Sequence, residues 1–533
     1  GASLHLIHSF DKYKDIEIIC SHHEQASAMA ADSYSRVTGK PSLAIATSGP
    51  GATNLITGIA GCFYDSIPAI FITGQVSTFR SSKGLNVRQI GFQETPIVDM
   101  CKQIVKYSIQ IDNPNSILYE LQKAYFLSTE GRPGPVLIDI PDNLQRQIID
   151  PVNLPSFEEP KTSGYENIKD RFFSEINKKI KSSSRPILIA GSGIKLSKTE
   201  KQFEELVQKT QIPVALTWGA VDILAKENSM RIGSFGTHGN RFANLAVQNA
   251  DLIISFGSRL DLKATGSPTD TFARKAWKCM VDIDPYEINK FNDSGLNIDL
   301  KINCDLRVFF DLGLNKIEKN EKDYKDWHDQ IASWKSEYSS RKEAKSQKLP
   351  GIDPYNFFED IFDFFGEDSQ FFLDTGCALA WAMQSFIPYK NQRIYHDFNN
   401  TAMGWALPAA MGGALADSSK KTICISGDGS IMMNLQELIS INHKKLPIVI
   451  IIINNGGYSM IKQTQDQWLN SRYLASGPDG GVGIPEFVRV GEGFGIESFK
   501  VSNEREINLM KAKLNKKISR PIIFDVIGVS INK

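Results

Sequence analysis

Short aliphatic runs alternate with amphipathic stretches of helical length from one end of the chain to the other. The runs fall at residues 16–20, 42–47, 69–73 and 136–140, then 186–190, 213–217, 252–256 and 280–283, then 370–374, 422–426, 448–453 and 521–526. Apolar runs this short, spaced by helix-length segments, describe parallel strands covered by helices on both faces. The 533 residues exceed one ordinary core; domains of about 150–200 residues would divide them into three. A polar stretch with three prolines at 150–163 reads as one linker. A Lys- and Glu-rich segment at 316–348 reads as a solvated helix and a second linker. The expected organisation is three doubly wound α/β domains at 1–150, 165–340 and 350–533.

Charge and cysteine content narrow the classes. Lys plus Arg (60) equals Asp plus Glu (60), so no net field favours nucleic acid or an anionic membrane. The seven cysteines are scattered without a CxxC pair, which points to free thiols in the cytoplasm. The longest aliphatic run, 448–453, is far too short to span a bilayer.

The stretch "GDGSIMMNLQELISINHKKLPIVIIIINNGG", residues 427–457, carries the strongest chemical signal. Gly427, Asp428, Gly429 and Ser430 follow an expected strand, at the carboxyl end where parallel sheets bind ligands. Leu435, Leu438 and Ile439 share a helical face by their spacing. The chain then re-enters the sheet and delivers Asn454 and Asn455 at the next strand end. One strand-helix-strand step separates Asp428 from Asn455, so their side chains can converge. A carboxylate and an amide oxygen, completed by phosphate oxygens and water, suit octahedral Mg²⁺. A plain glycine turn and a capping asparagine are the alternative for the same residues.

A second signal lies in "SHHEQASAMAADSYSRVTGKPSLAIATSGPGATN". Glu24 follows the expected strand 16–20 and opens a helix rich in small residues. By itself such a glutamate is usually only a favourable interaction with the helix dipole.

These words, with FITGQV, FQE and GRPGPVLIDIP, resemble the acetolactate synthase branch of the thiamine diphosphate-dependent enzymes. "GSFGTHGNRFANLAVQNADLIISFGSRLD" and "VDIDPYEINK" are similar to that family's central domain, and "TAMGWALPAAMGGALA" to the segment before its GDG motif. The resemblance runs through nearly the whole chain in the family's order. It implies a pyrimidine-binding (Pyr) domain, a Rossmann-like central domain and a diphosphate-binding (PP) domain. It also implies a homodimer or homotetramer, in which Glu24 of one subunit meets the diphosphate site of another. A regulatory subunit is left open.

The resemblance assigns Glu24 to the cofactor's pyrimidine ring and Phe92 and Gln93 to the substrate side of catalysis. Asp428, Asn455 and the carbonyl of Gly457 would hold Mg²⁺. Gly1, Pro50, Asn54, Thr375, Gly376, Gly427, Gly429, Ser430, Tyr458 and Met460 would line the cofactor. Thr401 would accept from the cofactor's 4′-amino group, and Met403 would wedge it into a bent shape. Ile461 and Thr464 would border the substrate pocket. Gly191, Gly193, Thr217, Gly236, His238, Arg259, Asp282 and Asp284 match flavin-contacting motifs, so FAD is a further cofactor to test.

Four places depart from the family. The opening strand and helix of the first domain are not seen before Gly1. Gln463-Thr464-Gln465 stands where the family has Gln-Trp-Gln, which opens the acceptor side. Leu260-Asp261-Leu262-Lys263 replaces Phe-Asp-Asp-Arg, and Asp142 stands at a common lysine position. The expected activity is decarboxylation of pyruvate or a similar 2-oxo acid and transfer of its two-carbon unit to a 2-oxo acid or larger ketone. The alternatives are transfer to a nucleotide-linked keto sugar, or decarboxylation without ligation.

Overall fold

The computed structural model describes residues 1–160, 168–292, 294–340, Lys342 and 351–528. The expected linkers run partly outside these residues, as do the expected domain edges at 165–167, 350 and 529–533.

Three parallel sheets follow one another along the chain. The first has β1 (Ser42–Ala46), β2 (Ala69–Gln75), β3 (Tyr107–Gln110) and β4 (Val136–Pro141), in the order β1-β2-β4-β3. The second has β5 (Pro186–Ala190), β6 (Val214–Leu216), β7 (Arg231–Ser234), β8 (Leu252–Phe256), β9 (Trp277–Asp282) and β10 (Leu300–Asn303), in the order β10-β9-β8-β5-β6-β7. The third has β11 (Ser369–Leu373), β12 (Arg393–Tyr395), β13 (Lys421–Gly427), β14 (Ile448–Asn454), β15 (Glu497–Val501) and β16 (Ile522–Ile527), in the order β12-β11-β13-β14-β16-β15. All pairings are parallel. The α/β class read from the alternation is the observed one.

Residues 16–20 are not a strand. The run joins no sheet, and Ile16 and Ile18 stay solvent-exposed. Conversely β3, β7, β10, β12 and β15 lie outside the runs picked from the sequence. Each is an edge strand. An edge needs no continuous apolar run, because one side faces solvent or a loop.

β14 sits inside the third sheet between β13 and β16, and Ile448–Ile453 are at most 2% exposed. Each buried isoleucine contributes about 1.5–3 kcal/mol, so this strand anchors the loops at both ends of its neighbours. The first and third units are joined by two helices, Glu24–Thr38 and Ala406–Ala416. Their approach depends on small residues. A Cβ on Gly412 would lie 2.2 Å from the carbonyl oxygen of Ala30, and Ser33 Oγ donates to the carbonyl of Ala409 at 2.5 Å. Leu438 and Ile441 form the buried side of helix Glu437–His443, whereas Ile439 is 39% exposed and lies off that face.

Candidate active site

Three loops meet at the carboxyl ends of the adjacent strands β11, β13 and β14, where strand order reverses between β11 and β13. Gly427 of β13 lies opposite Ile453 of β14, so Asp428 and Asn455 emerge side by side. Asp428 is 1% exposed. Its Oδ1 accepts from the Gly429 amide at 2.8 Å and its Oδ2 from the Gly457 amide at 2.7 Å. Burial pushes its pKa up, opposed by the amides of Gly457, Gly429 and Gly456. Gly457 has φ +123°, and a Cβ there would strike the Ser476 carbonyl at 2.4 Å. Only glycine fits this turn.

Asn455 Oδ1 is buried without a hydrogen-bond partner. An orphaned amide oxygen beside a buried carboxylate is costly unless something cationic or protic fills the gap. Among the described residues no three His, Cys, Asp or Glu side chains cluster as a metal site. The donor set here is one carboxylate plus neutral oxygens, which is the chemistry of Mg²⁺ bound together with phosphate oxygens. The residues therefore fit a metal-bridged diphosphate. The Tyr458 ring packs on Gly429, where a Cβ would lie 2.2 Å from the ring edge. Ser430 is buried in the short helix Asp428–Ile431.

Asp374 closes β11 and fixes the next loop. It accepts from the Ala406 amide at 3.1 Å and from the Ser426 hydroxyl. Burial pushes its pKa up to about 6. Thr375 and Gly376 follow it, and Gly376 (φ +110°) opens helix Cys377–Ser385. Thr401 adopts a left-handed φ of +54°, and its amide donates to the Asp397 carbonyl at 2.9 Å. Met403 is half-buried beside it.

The Glu24 group forms separately. His23 caps helix Glu24–Thr38, its ring nitrogen accepting from the Gln25 amide. The Asn54 amide donates to Glu24 Oε2 at 3.0 Å, and a Cβ on Gly51 would lie 3.1 Å from Oε1. Pro50 begins the helix that carries Asn54. Gln93, at φ +63°, lies against Gly49. Phe92 is 86% exposed. The Ala2 amide donates to Thr47 Oγ1 at 2.9 Å, which places Gly1 over the end of β1. Among the described residues no hydrogen bond or ion pair links the Glu24 group to the Asp428 group within the chain. Met460, Ile461 and Thr464 share helix Ser459–Trp468. Ile461 is half exposed, and the Thr464 hydroxyl donates to the Met460 carbonyl at 3.2 Å.

The flavin-motif residues separate into two sets. A cavity of about 770 Å³ lies between all three units and is lined by Gly193, Thr217, Arg259 and Asp282 among others. It opens at the β5–β8 reversal of the second sheet. Gly191, Gly236, His238 and Asp284 do not line it. Gly191 and Gly236 allow tight backbone crossings against Gly257 and Lys263. His238 stacks on Trp218, and Asp284 pairs with Arg132 at 2.8 Å.

Three family models cover the chain: the thiamine pyrophosphate enzyme N-terminal TPP binding domain over residues 1–100, the central domain over 173–311 and the C-terminal TPP binding domain over 374–526. The fold and the paired strand-end loops thus define a thiamine diphosphate enzyme. The acetolactate synthase large subunit of Cyanidium caldarium is 35% identical over 533 residues, covering 97% of this chain and 86% of its own. That of Porphyra purpurea is 34% identical over 525 residues, with 97% and 86% covered. That of Lactococcus lactis subsp. lactis (strain IL1403) is 32% identical over 510 residues, with 95% and 85% covered. The chain belongs to the acetolactate synthase family of thiamine diphosphate-dependent enzymes.

Sequence reading missed two supports. Glu437 is buried, and its carboxylate accepts from the amides of His22 (2.9 Å) and His23 (3.0 Å), tying the approach to Glu24 onto the third unit. A carboxylate immediately before Leu438, at the start of a buried helix face, was the available signal. Glu94 holds the loop before Phe92 through the amides of Ser82, Ile90 and Gly91. Its signal was weaker, since its partners are backbone amides and the hydroxyls of Ser81 and Ser82.

Proposed function

We propose that the chain is a transferase of the acetolactate synthase type that decarboxylates pyruvate and joins the two-carbon unit to a second carbonyl compound. When bound, thiamine diphosphate supplies the carbon nucleophile and the electron sink. Asp428, Asn455 and the Gly457 carbonyl hold Mg²⁺, which carries the diphosphate with Gly427, Gly429, Ser430, Thr375 and Gly376. Glu24 hydrogen-bonds the pyrimidine ring, positioned by Asn54. Thr401 and Met403 orient that ring. Tyr458 and Met460 border it, while Phe92, Gln93, Ile461 and Thr464 face the substrates. The buried, partnerless Asn455 Oδ1 beside Asp428 carries this reading.

The Glu24 and Asp428 groups are then joined across a homodimer or homotetramer, which supplies an occupant for the exposed Phe92. The domains divide at 1–150, 165–340 and 350–533. The three-way cavity is the place for FAD, held through Gly193, Thr217 and Arg259. No helix among the described residues is long and apolar enough to cross a membrane. All seven cysteines are free, which fits a reducing cytoplasm.

The deciding experiment is product analysis with pyruvate, thiamine diphosphate and Mg²⁺ against small and large acceptor ketones. Acetolactate from pyruvate alone supports the reading. Product only with a nucleotide-linked keto sugar selects that acceptor, which the small Thr464 side chain permits. Acetaldehyde alone would replace ligation by simple decarboxylation.

A further inference from the structure

Helices Glu24–Thr38 and Ile56–Asp65 enclose the segment 396–405 around a buried group of charges. Arg36 Nη2 pairs with Asp65 Oδ2 at 2.8 Å, its Nε with Asp32 Oδ1 at 2.9 Å, and its Nη1 donates to the His396 carbonyl at 3.0 Å. Asp65 accepts from the amides of Phe398 (2.9 Å) and Asn399 (3.1 Å). Asp32 accepts from Trp405 Nε1 at 2.7 Å. One guanidinium thus serves two carboxylates and pins both ends of the turn that carries Thr401 and Met403.

Asp397 is the third carboxylate in this group and is 1% exposed. Its Oδ2 accepts from the Ala402 amide at 3.0 Å, and its backbone carbonyl from the Thr401 amide at 2.9 Å. Its Oδ1 has no partner. A Cβ on Gly61 would sit 3.4 Å from each oxygen, so the carboxyl faces helix Ile56–Asp65 with nothing cationic between. Arg36 makes no ion pair with it, and the buried His396 is held neutral, its pKa pushed down to about 4 by burial. Lys263 spends its amino group on the Phe398 carbonyl at 2.9 Å. The Cys62 thiol, with its pKa raised by burial, adds no positive charge.

We infer that Asp397 is a positioning residue for the Thr401–Met403 turn and performs that task as the neutral acid. The inference rests on the thiamine diphosphate reading of that turn. Ionisation would place a third negative charge beside Asp65 and Asp32 with one Arg36 to offset them, and would strain the seam from which Thr401 and Met403 project. Burial and the neighbouring Asp65 and Asp32, against the Ala402 amide and the Arg36 charge, push the Asp397 pKa up to about 7. A carboxyl raised in this way contributes stability at low pH that is lost as pH rises through its folded value.

Two measurements test this: thiamine diphosphate affinity in Mg²⁺, and melting of the cofactor-free protein, each from about pH 6 to 8.5. The wild type is expected to lose roughly tenfold in affinity over that range and to melt progressively lower. Asp397→Asn, an uncharged isostere, should keep the low-pH affinity and flatten both profiles. Asp397→Ala should bind weakly at every pH, because the Ala402 bond is gone. Should Asp397→Asn fail to fold, the carbonyl-stretch band of the buried acid in the wild-type infrared spectrum, lost as pH rises through about 7, decides the question. A pH profile shared by wild type and Asp397→Asn, or an infrared spectrum without that transition, overturns the inference. Absence of thiamine diphosphate binding by the wild type at every pH removes the cofactor reading itself, and the inference with it.

Discussion

The Gly457 amide donates to Asp428 Oδ2 at 2.7 Å, tying the loop after β14 to the loop after β13. That bond holds the Gly457 turn against Asp428, and Asn455 Oδ1 is left without a partner.

Replacing Asp428 should separate shape from charge. Asp428→Asn retains an oxygen for the Gly457 amide, so the fold should hold while Mg²⁺ and thiamine diphosphate affinities fall together. A loss of about 100-fold corresponds to roughly 2.7 kcal/mol, within the range for removing a charged partner. Titration of thiamine diphosphate at fixed Mg²⁺ checks it. Unchanged affinity would return the stretch to a plain turn.

Glu24→Gln should bind the cofactor almost normally, since the retained carbonyl oxygen can still accept from the Asn54 amide. Turnover should drop by about 10²–10⁴-fold, the usual worth of acid–base assistance. Deuterium exchange at the cofactor C2 position measures the step directly, and near-wild-type exchange would remove Glu24 from that role.

Thr464→Trp should exclude large acceptors while sparing decarboxylation, because the residue lies one helical turn beyond Met460 on an exposed face. Single-turnover decarboxylation and coupling to small and bulky ketones would be compared in both proteins. Equal losses for all acceptors would show that Thr464 does not border the acceptor.

Glu94 staples residues 81–91. Backbone and hydroxyl hydrogen bonds from Ile90 and Ser82 overcome its desolvation and hold its pKa down to about 2. Glu94→Ala should therefore loosen the loop at neutral pH, as acid does to the wild type. Tryptic cleavage after Arg80, Lys83 and Arg88 reads this out. Cleavage rates matching the wild type would show that the loop is held by other contacts.

The local periodicities of this sequence determined much. Runs such as 448–453 read as central strands, since six consecutive isoleucines and valines leave no polar face and the run is short and β-branched. Asp428 and Asn455 were legible for the same reason: one strand-helix-strand step between two buried strands puts both residues at neighbouring carboxyl ends. Residues 16–20 show the limit, because a strand also needs a partner, and pairing is a property of the folded chain. The edge strands were hidden by their half-exposed sides. Tertiary structure alone brought Glu437 beneath His22 and His23, gathered Asp32, Asp65 and Asp397 around one Arg36, and enclosed the cavity between three units. Glu437 lies 415 positions from His22, and the His396 carbonyl that Arg36 holds lies 360 positions from it, and no periodicity encodes which distant side chains a packed interior will leave facing one another.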